Sequence, residues 1–93
     1  MAKSILQDEK RCWFCDTPLD IHEHHVYGGK NRKVSEKNGF KAYLCGREHN
    51  MSDDGVHFNK EKDLILKRAC QAKFEETHSR EEFMKLIGRN YLD

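Results

Sequence analysis

The sequence has one proline, one tryptophan and no apolar run long enough to span a membrane. It also lacks internal repeats, low-complexity tracts and linkers. The first seven residues are too short and polar for a signal peptide, so we expect no secretion. Charged residues make up 35% of the 93 residues and apolar residues 37%. This composition predicts one small domain with a thin core. An internal crosslink, such as a structural metal ion, would help such a domain to fold.

Net charge is also nearly absent, at +1, but it is unevenly distributed along the chain. Residues 27–47 include six basic residues and one acidic residue, which gives this segment +5 and leaves −4 elsewhere. A basic segment on a nearly neutral protein favours a polyanionic partner, and a solvated loop is the alternative. The basic residues are Lys30, Arg32, Lys33, Lys37, Lys41 and Arg47.

Two segments in the first half have the alternation of short β-strands. Residues 19–26 form the first, and residues 40–44 form a second that ends at Cys45. Gly28 and Gly29 interrupt the first strand, and a polar, basic loop is predicted from there to residue 39. The two strands are expected to form an antiparallel pair.

The second half has the spacing of helices, so the predicted fold class is α+β. Asn59 is a good N-cap for a helix from residue 60 to about residue 77. Cys70 lies on its apolar stripe, and we interpret it as a core residue. Ser79 opens another helix in a capping box, and Gly88 is its natural end.

Three of the four cysteines lie at spacings typical of a metal site. Without a secretion signal, cysteines favour metal binding over disulfides. Cys12 and Cys15 offer two thiolates from one turn, Cys45 offers a third, and His49 completes a four-ligand structural zinc site. Glu48 is the alternative fourth ligand, although zinc prefers the softer nitrogen donor. Ordinary buried thiols, or a redox pair at Cys12 and Cys15, are the other interpretations.

Five of the six histidines fall between residues 22 and 57: His22, His24, His25, His49 and His57. In a strand, His22 and His24 point to one face and His25 to the other. Imidazole serves as a metal ligand or as a general base near neutral pH. An adjacent pair at a strand end can bring one nitrogen to a metal and another to a water. We therefore predict a functional site at His24 and His25, with purely structural histidines as the alternative.

Taken in order, these motifs resemble the HNH endonuclease family, and most of all its small phage and prophage members. The resemblance covers roughly residues 12–60 and is expected to extend into the helical residues 60–93. The matching segments are Cys12-x-x-Cys15, Glu23-His24-His25-Val26, Gly28-Gly29, Leu44-Cys45-Gly46-Arg47-Glu48-His49-Asn50 and Gly55-Val56-His57-Phe58-Asn59.

The resemblance implies a single domain, residues 1–93, with a ββα-metal unit, a zinc knuckle and a C-terminal helical extension. It implies that one of His24 and His25 is a general base. The other would hold a divalent cation, Mg²⁺, Mn²⁺ or Ni²⁺, with a downstream histidine. If His49 binds the zinc ion, the downstream histidine is His57. If Glu48 binds the zinc ion instead, the downstream histidine is His49.

The family also has an asparagine that orients the base, for which Asn50 and Asn38 are the candidates. The implied activity is metal-dependent hydrolysis of DNA phosphodiester bonds in the cytoplasm of a bacterial host. Residues 30–47 would contact the DNA backbone, and double-strand cleavage would require a homodimer or a partner. A non-catalytic zinc module that binds nucleic acid or a host protein, such as a phage inhibitor of host defence, is the main alternative. A purely structural zinc domain is another.

Overall fold

The computed structural model describes residues 3–47, 49 and 59–92. In these ranges two strands form an antiparallel sheet and are accompanied by three α-helices, which confirms the predicted α+β class. The strands are β1 (Ile21–His25) and β2 (Lys41–Cys45). The helices are α1 (Arg32–Asn38), α2 (Lys60–Phe74) and α3 (Arg80–Ile87).

The two strands pair in a register that runs from Ile21 opposite Cys45 to His25 opposite Lys41. Strand β1 begins two residues later than predicted, after Asp20 in the left-handed backbone conformation with φ +52°, and it ends one residue earlier, at His25. The carbonyl of Asp20 nevertheless accepts a hydrogen bond of 3.0 Å from the Gly46 N–H, just beyond β2. This hydrogen bond joins the residue before β1 to the residue after β2, at the end of the sheet where Ile21 pairs with Cys45.

The prediction of an uninterrupted loop between the strands is wrong, because a short 3-10 helix and then α1 occupy this segment. The buried Ser35 hydroxyl donates to the Tyr27 carbonyl at 2.7 Å and accepts from the Tyr27 N–H at 3.2 Å. Gly39 ends α1 with φ +74°, and a Cβ atom there would collide with the Lys3 carbonyl. The hydrogen bonds of Ser35 with Tyr27 thus hold a helix that has little apolar surface.

The caps predicted for the other two helices are confirmed. The Asn59 side chain accepts from the N–H groups of residues 61 and 62, and the Ser79 hydroxyl accepts from the Glu82 N–H. Gly88 ends α3 with φ +86°. Helix α2 ends at Phe74, about one turn earlier than expected.

One hydrophobic core joins the sheet to α2 and α3. Phe40 beside β2, Phe74 of α2 and Phe83 of α3 lie with their ring centroids 5.3–6.0 Å apart. Cys70 is fully buried in this core, as predicted, and burial raises its pKa to about 12. The Tyr27 hydroxyl donates to the Lys67 carbonyl at 2.6 Å and fixes α2 to the segment after β1. None of the described helices has the length and apolarity required to cross a membrane.

Candidate functional site

Three cysteines form a compact cluster at one end of the sheet. The sulfur atoms of Cys12, Cys15 and Cys45 all lie within 4.8 Å of one another, and those of Cys15 and Cys45 are 3.6 Å apart. The turn that contains Cys12 and Cys15 is fixed to β2 by a 2.8 Å hydrogen bond from the Trp13 N–H to the Tyr43 carbonyl. These cysteines could therefore hold a metal ion, as expected, and within the described residues no fourth ligand belongs to the group.

The thiols of the cluster influence one another's protonation. Burial raises the pKa of Cys12, but hydrogen bonds to the backbone of Cys45, Cys15 and Phe14 outweigh it, and the pKa is lowered. A backbone hydrogen bond at Thr17 lowers the pKa of Cys15, but the Cys12 thiol, burial and Cys45 together raise it to about 11. A cation would relieve the repulsion between neighbouring thiolates, so the donor set suits a soft or borderline metal ion.

His49 lies with the β1 histidines and outside the cysteine cluster. Its Nδ1 is 3.0 Å from Nδ1 of His22, and its ring centroid is 5.2 Å from that of the buried His24. His22 and His24 share a face of β1, where Ala42 stands opposite His24. This placement differs from the predicted role of His49 as a zinc ligand, and it corresponds to the alternative in which His49 joins the histidine site.

His25 points to the opposite face of the sheet, into a network of charged side chains. Its Nε2 is 2.7 Å from Oε2 of Glu36 on α1. The Lys41 ammonium lies 3.4 Å from the same carboxylate and 3.2 Å from that of Glu23, and only 3% of the Lys41 side chain is exposed. Glu23, His25 and Glu36 have the spacing of metal ligands, but Lys41 already supplies the positive charge there.

These contacts fix the charges of the network. The hydrogen bond with His25 and the proximity of Lys41 lower the pKa of Glu36, against a smaller effect of burial. Burial lowers the pKa of Lys41, but the carboxylates of Glu23 and Glu36 outweigh it and the pKa is raised. The ionised Glu36 carboxylate accepts a hydrogen bond from the Nε2–H of His25. In a neutral imidazole this tautomer leaves the lone pair on Nδ1.

Both histidines of the adjacent pair line one cavity of about 310 Å³, although they point to opposite faces of the strand. Its other lining residues are Glu23, Arg32 and His49. A neighbouring cavity of about 490 Å³ shares Glu23, His25 and Arg32, and its lining adds Lys33 and Glu36. Helix α1 thus presents two exposed basic side chains beside the histidines.

Asn38, one of the two candidates for the base-orienting asparagine, does not line this cavity. Asn50 and His57, like Glu48, lie outside the described residues. Asn38 donates from its amide to the Val34 carbonyl at 2.9 Å, at the end of α1. Sequence reasoning missed Glu36 and Lys41, because only α1 and the strand register bring them to His25.

Comparison of the chain with family models, with curated proteins and with solved structures finds no match in any of the three. The HNH resemblance therefore stays a prediction.

Proposed function

We propose that the protein is a metal-dependent endonuclease that hydrolyses DNA phosphodiester bonds. The observation that carries this proposal is the cavity in which the adjacent residues His24 and His25 meet His49 and Arg32. Such a site combines a candidate base, candidate cation ligands and a phosphate-binding guanidinium within one small volume.

His25 is the better candidate for the general base. Glu36 holds its Nε2 at 2.7 Å, so Nδ1 is the nitrogen that can accept a proton from the attacking water. A carboxylate that orients a histidine in this way also stabilises the imidazolium once it forms. The hydrogen bond with His25 and the ion pair with Lys41 lower the pKa of Glu36 and favour its ionised form for this role.

His24 and His49 are the candidate ligands of the catalytic cation, since their rings adjoin on the other face of β1. When bound there, a divalent cation would stabilise negative charge on the scissile phosphate and on the leaving oxygen. Arg32 can form paired hydrogen bonds with phosphate oxygens, and Lys33 beside it adds positive charge along the DNA backbone.

The cysteine cluster is proposed as a structural zinc site, because zinc favours thiolate ligands in closed tetrahedral sets. Since His49 contacts His22, Glu48 becomes the preferred candidate for the fourth ligand, three residues after Cys45 in the sequence. A zinc ion there would stabilise a small domain and take no part in the hydrolysis.

The test is cleavage of supercoiled plasmid with Mg²⁺, Mn²⁺ or Ni²⁺ as the cation. His24→Ala and His25→Ala are compared with His78→Ala, which removes an exposed histidine outside the cavity. Loss of a general base should slow cleavage by about 10²- to 10⁴-fold. If the wild-type protein cleaves nothing but retains DNA binding or captures a host protein, the non-catalytic module replaces this proposal.

A further inference from the structure

The geometry points to His22, which contacts His49 beside the cavity, as a further ligand of the cation proposed at His24 and His49, with Asp20 as the residue that orients it. We infer that the site selects a transition-metal ion over Mg²⁺. This inference rests on the proposed function for what the cation does, but cation binding is measurable without cleavage.

The first support is the distance between two ring nitrogens. Nδ1 of His22 and Nδ1 of His49 lie 3.0 Å apart. Two imidazole nitrogens that bind one metal ion at about 2.0–2.1 Å each, at angles of about 90–110°, are separated by roughly 3.0–3.4 Å. The pair therefore already has the spacing of two ligands of a single cation.

The second support is a carboxylate on the far side of the His22 ring. Oδ1 of Asp20 lies 3.2 Å from Nε2 of His22. When Nε2–H donates to this carboxylate, Nδ1 keeps its lone pair and faces His49. Histidines that bind metals commonly donate their other ring N–H to a carboxylate, which fixes the tautomer and strengthens the ligand.

The backbone holds Asp20 in position for this contact. Its φ of +52° is unusual for a residue other than glycine, and its carbonyl accepts from the Gly46 N–H. Asp20 thus lies in a turn that is hydrogen-bonded to the residue after β2, and its carboxylate contacts His22.

The third support is the composition of the ligand set. His24 is two residues beyond His22 on the same face, and its ring centroid lies 5.2 Å from that of His49. The ligand nitrogens of the three rings do not all lie within 4.8 Å of one another, so His22 and His49 form the core of the site and His24 is its neighbour. Imidazole ligands suit Ni²⁺, Cu²⁺, Co²⁺ or Zn²⁺, whereas Mg²⁺ prefers carboxylate, carbonyl and water oxygens.

The alternative is that the 3.0 Å contact is only a hydrogen bond, in which one Nδ1 donates its proton to the other. Such a bond would hold the two rings together with or without a cation. The two interpretations differ in what happens to metal affinity when His22 or Asp20 is replaced.

The experiment is calorimetric titration of Ni²⁺ into protein whose zinc content is measured before and after. We expect one Ni²⁺ per chain that displaces no zinc, and no displacement of Ni²⁺ by excess Mg²⁺. Asp20→Asn should weaken the affinity by about 10- to 100-fold, as for other outer-shell partners, and His22→Ala by more. His78→Ala is the control and should bind Ni²⁺ as the wild type does.

A spectroscopic measurement covers the case in which His22→Ala folds poorly. With Cu²⁺ in place of Ni²⁺, the electron paramagnetic resonance spectrum reports how many nitrogens bind the ion. His22→Gln should lower that number by one relative to the wild type. Asp20→Asn replaces a carboxylate that is 63% exposed, so the fold should tolerate it.

The outcomes separate this inference from the proposed function. Wild-type Ni²⁺ affinity in both His22→Ala and Asp20→Asn would overturn the ligand role, even if the protein cleaves DNA. A loss of affinity in both variants, together with a wild-type protein that cleaves nothing, would support the cation site and reject the nuclease.

Discussion

Lys41→Met tests whether the buried ion pairs beside His25 stabilise the fold. The Lys41 side chain is 3% exposed, and its ammonium lies 3.2 Å from Glu23 and 3.4 Å from Glu36. Removing one partner from a buried ion pair typically costs about 3–5 kcal/mol. Here the two carboxylates are 37% and 31% exposed, so solvent screens the repulsion that remains between them. We therefore expect a loss of about 1–3 kcal/mol in the free energy of unfolding.

The pH dependence of that loss identifies its cause. The pKa of Glu36 is lowered in the folded protein, so its contribution to stability is present above the unfolded pKa and is lost as the pH falls. The pKa of Lys41 is raised, so its contribution is lost only as the pH rises through the folded value. The difference between wild type and Lys41→Met should therefore be largest near neutral pH and shrink below about pH 4.5.

Urea denaturation at pH 7 and at pH 4 measures both quantities. Lys37→Met is the matched control, because Lys37 is exposed on α1, and its effect should stay within about 0.5 kcal/mol. Adding Glu36→Gln to Lys41→Met should recover part of the loss at pH 7. An equal loss at both pH values would refute the electrostatic explanation and leave the packing of the Lys41 side chain as the cause.

Three further predictions concern the site and the turn that supports it. Glu36→Gln should weaken the preference of His25 for the tautomer protonated on Nε2, seen by nitrogen NMR, and slow cleavage while DNA affinity is unchanged, because an amide oxygen is a weaker acceptor than a carboxylate; an unchanged tautomer ratio would contradict the positioning role. Arg32→Ala should weaken DNA binding uniformly across sequences and reduce the salt slope by about 1, measured by fluorescence anisotropy at several salt concentrations. Gly39→Ala should cost more than about 1 kcal/mol in urea denaturation, because φ +74° disfavours a Cβ and the Lys3 carbonyl occupies its place; an unaffected midpoint would count against this.

The sequence predicted those elements that are stabilised by residues close to one another in the sequence. Asn59 and Ser79 begin their helices as capping residues, and Gly88 ends the last one. The alternation of residues 40–44 gave the second strand to within one residue. The paired spacing of the cysteines predicted that they meet, since a turn and a strand end bring them together.

The parts that sequence reasoning missed depend on contacts distant in sequence. Helix α1 has a single residue with a substantial apolar side chain, Val34, and is stabilised by the hydrogen bonds of Ser35 with Tyr27. Helix α1 brings Glu36 to His25, so no local sequence pattern predicts this pair. The alternation of the strand does place His22 beside His24, but it does not bring His49 to them.

The register of the two strands also gives the adjacent residues His24 and His25 different surroundings. His24 stands opposite Ala42 on the face of His49, while His25 stands opposite Lys41 on the face of Glu36. A shift of pairing by one residue turns every side chain of a strand to the other face. Inserting one residue between Asp20 and His24 would therefore turn both imidazoles to the opposite faces and place His24 opposite Lys41, in the position of His25. Both histidines would still be present, yet His24 would then meet Glu36 and the face toward His49 would lose it.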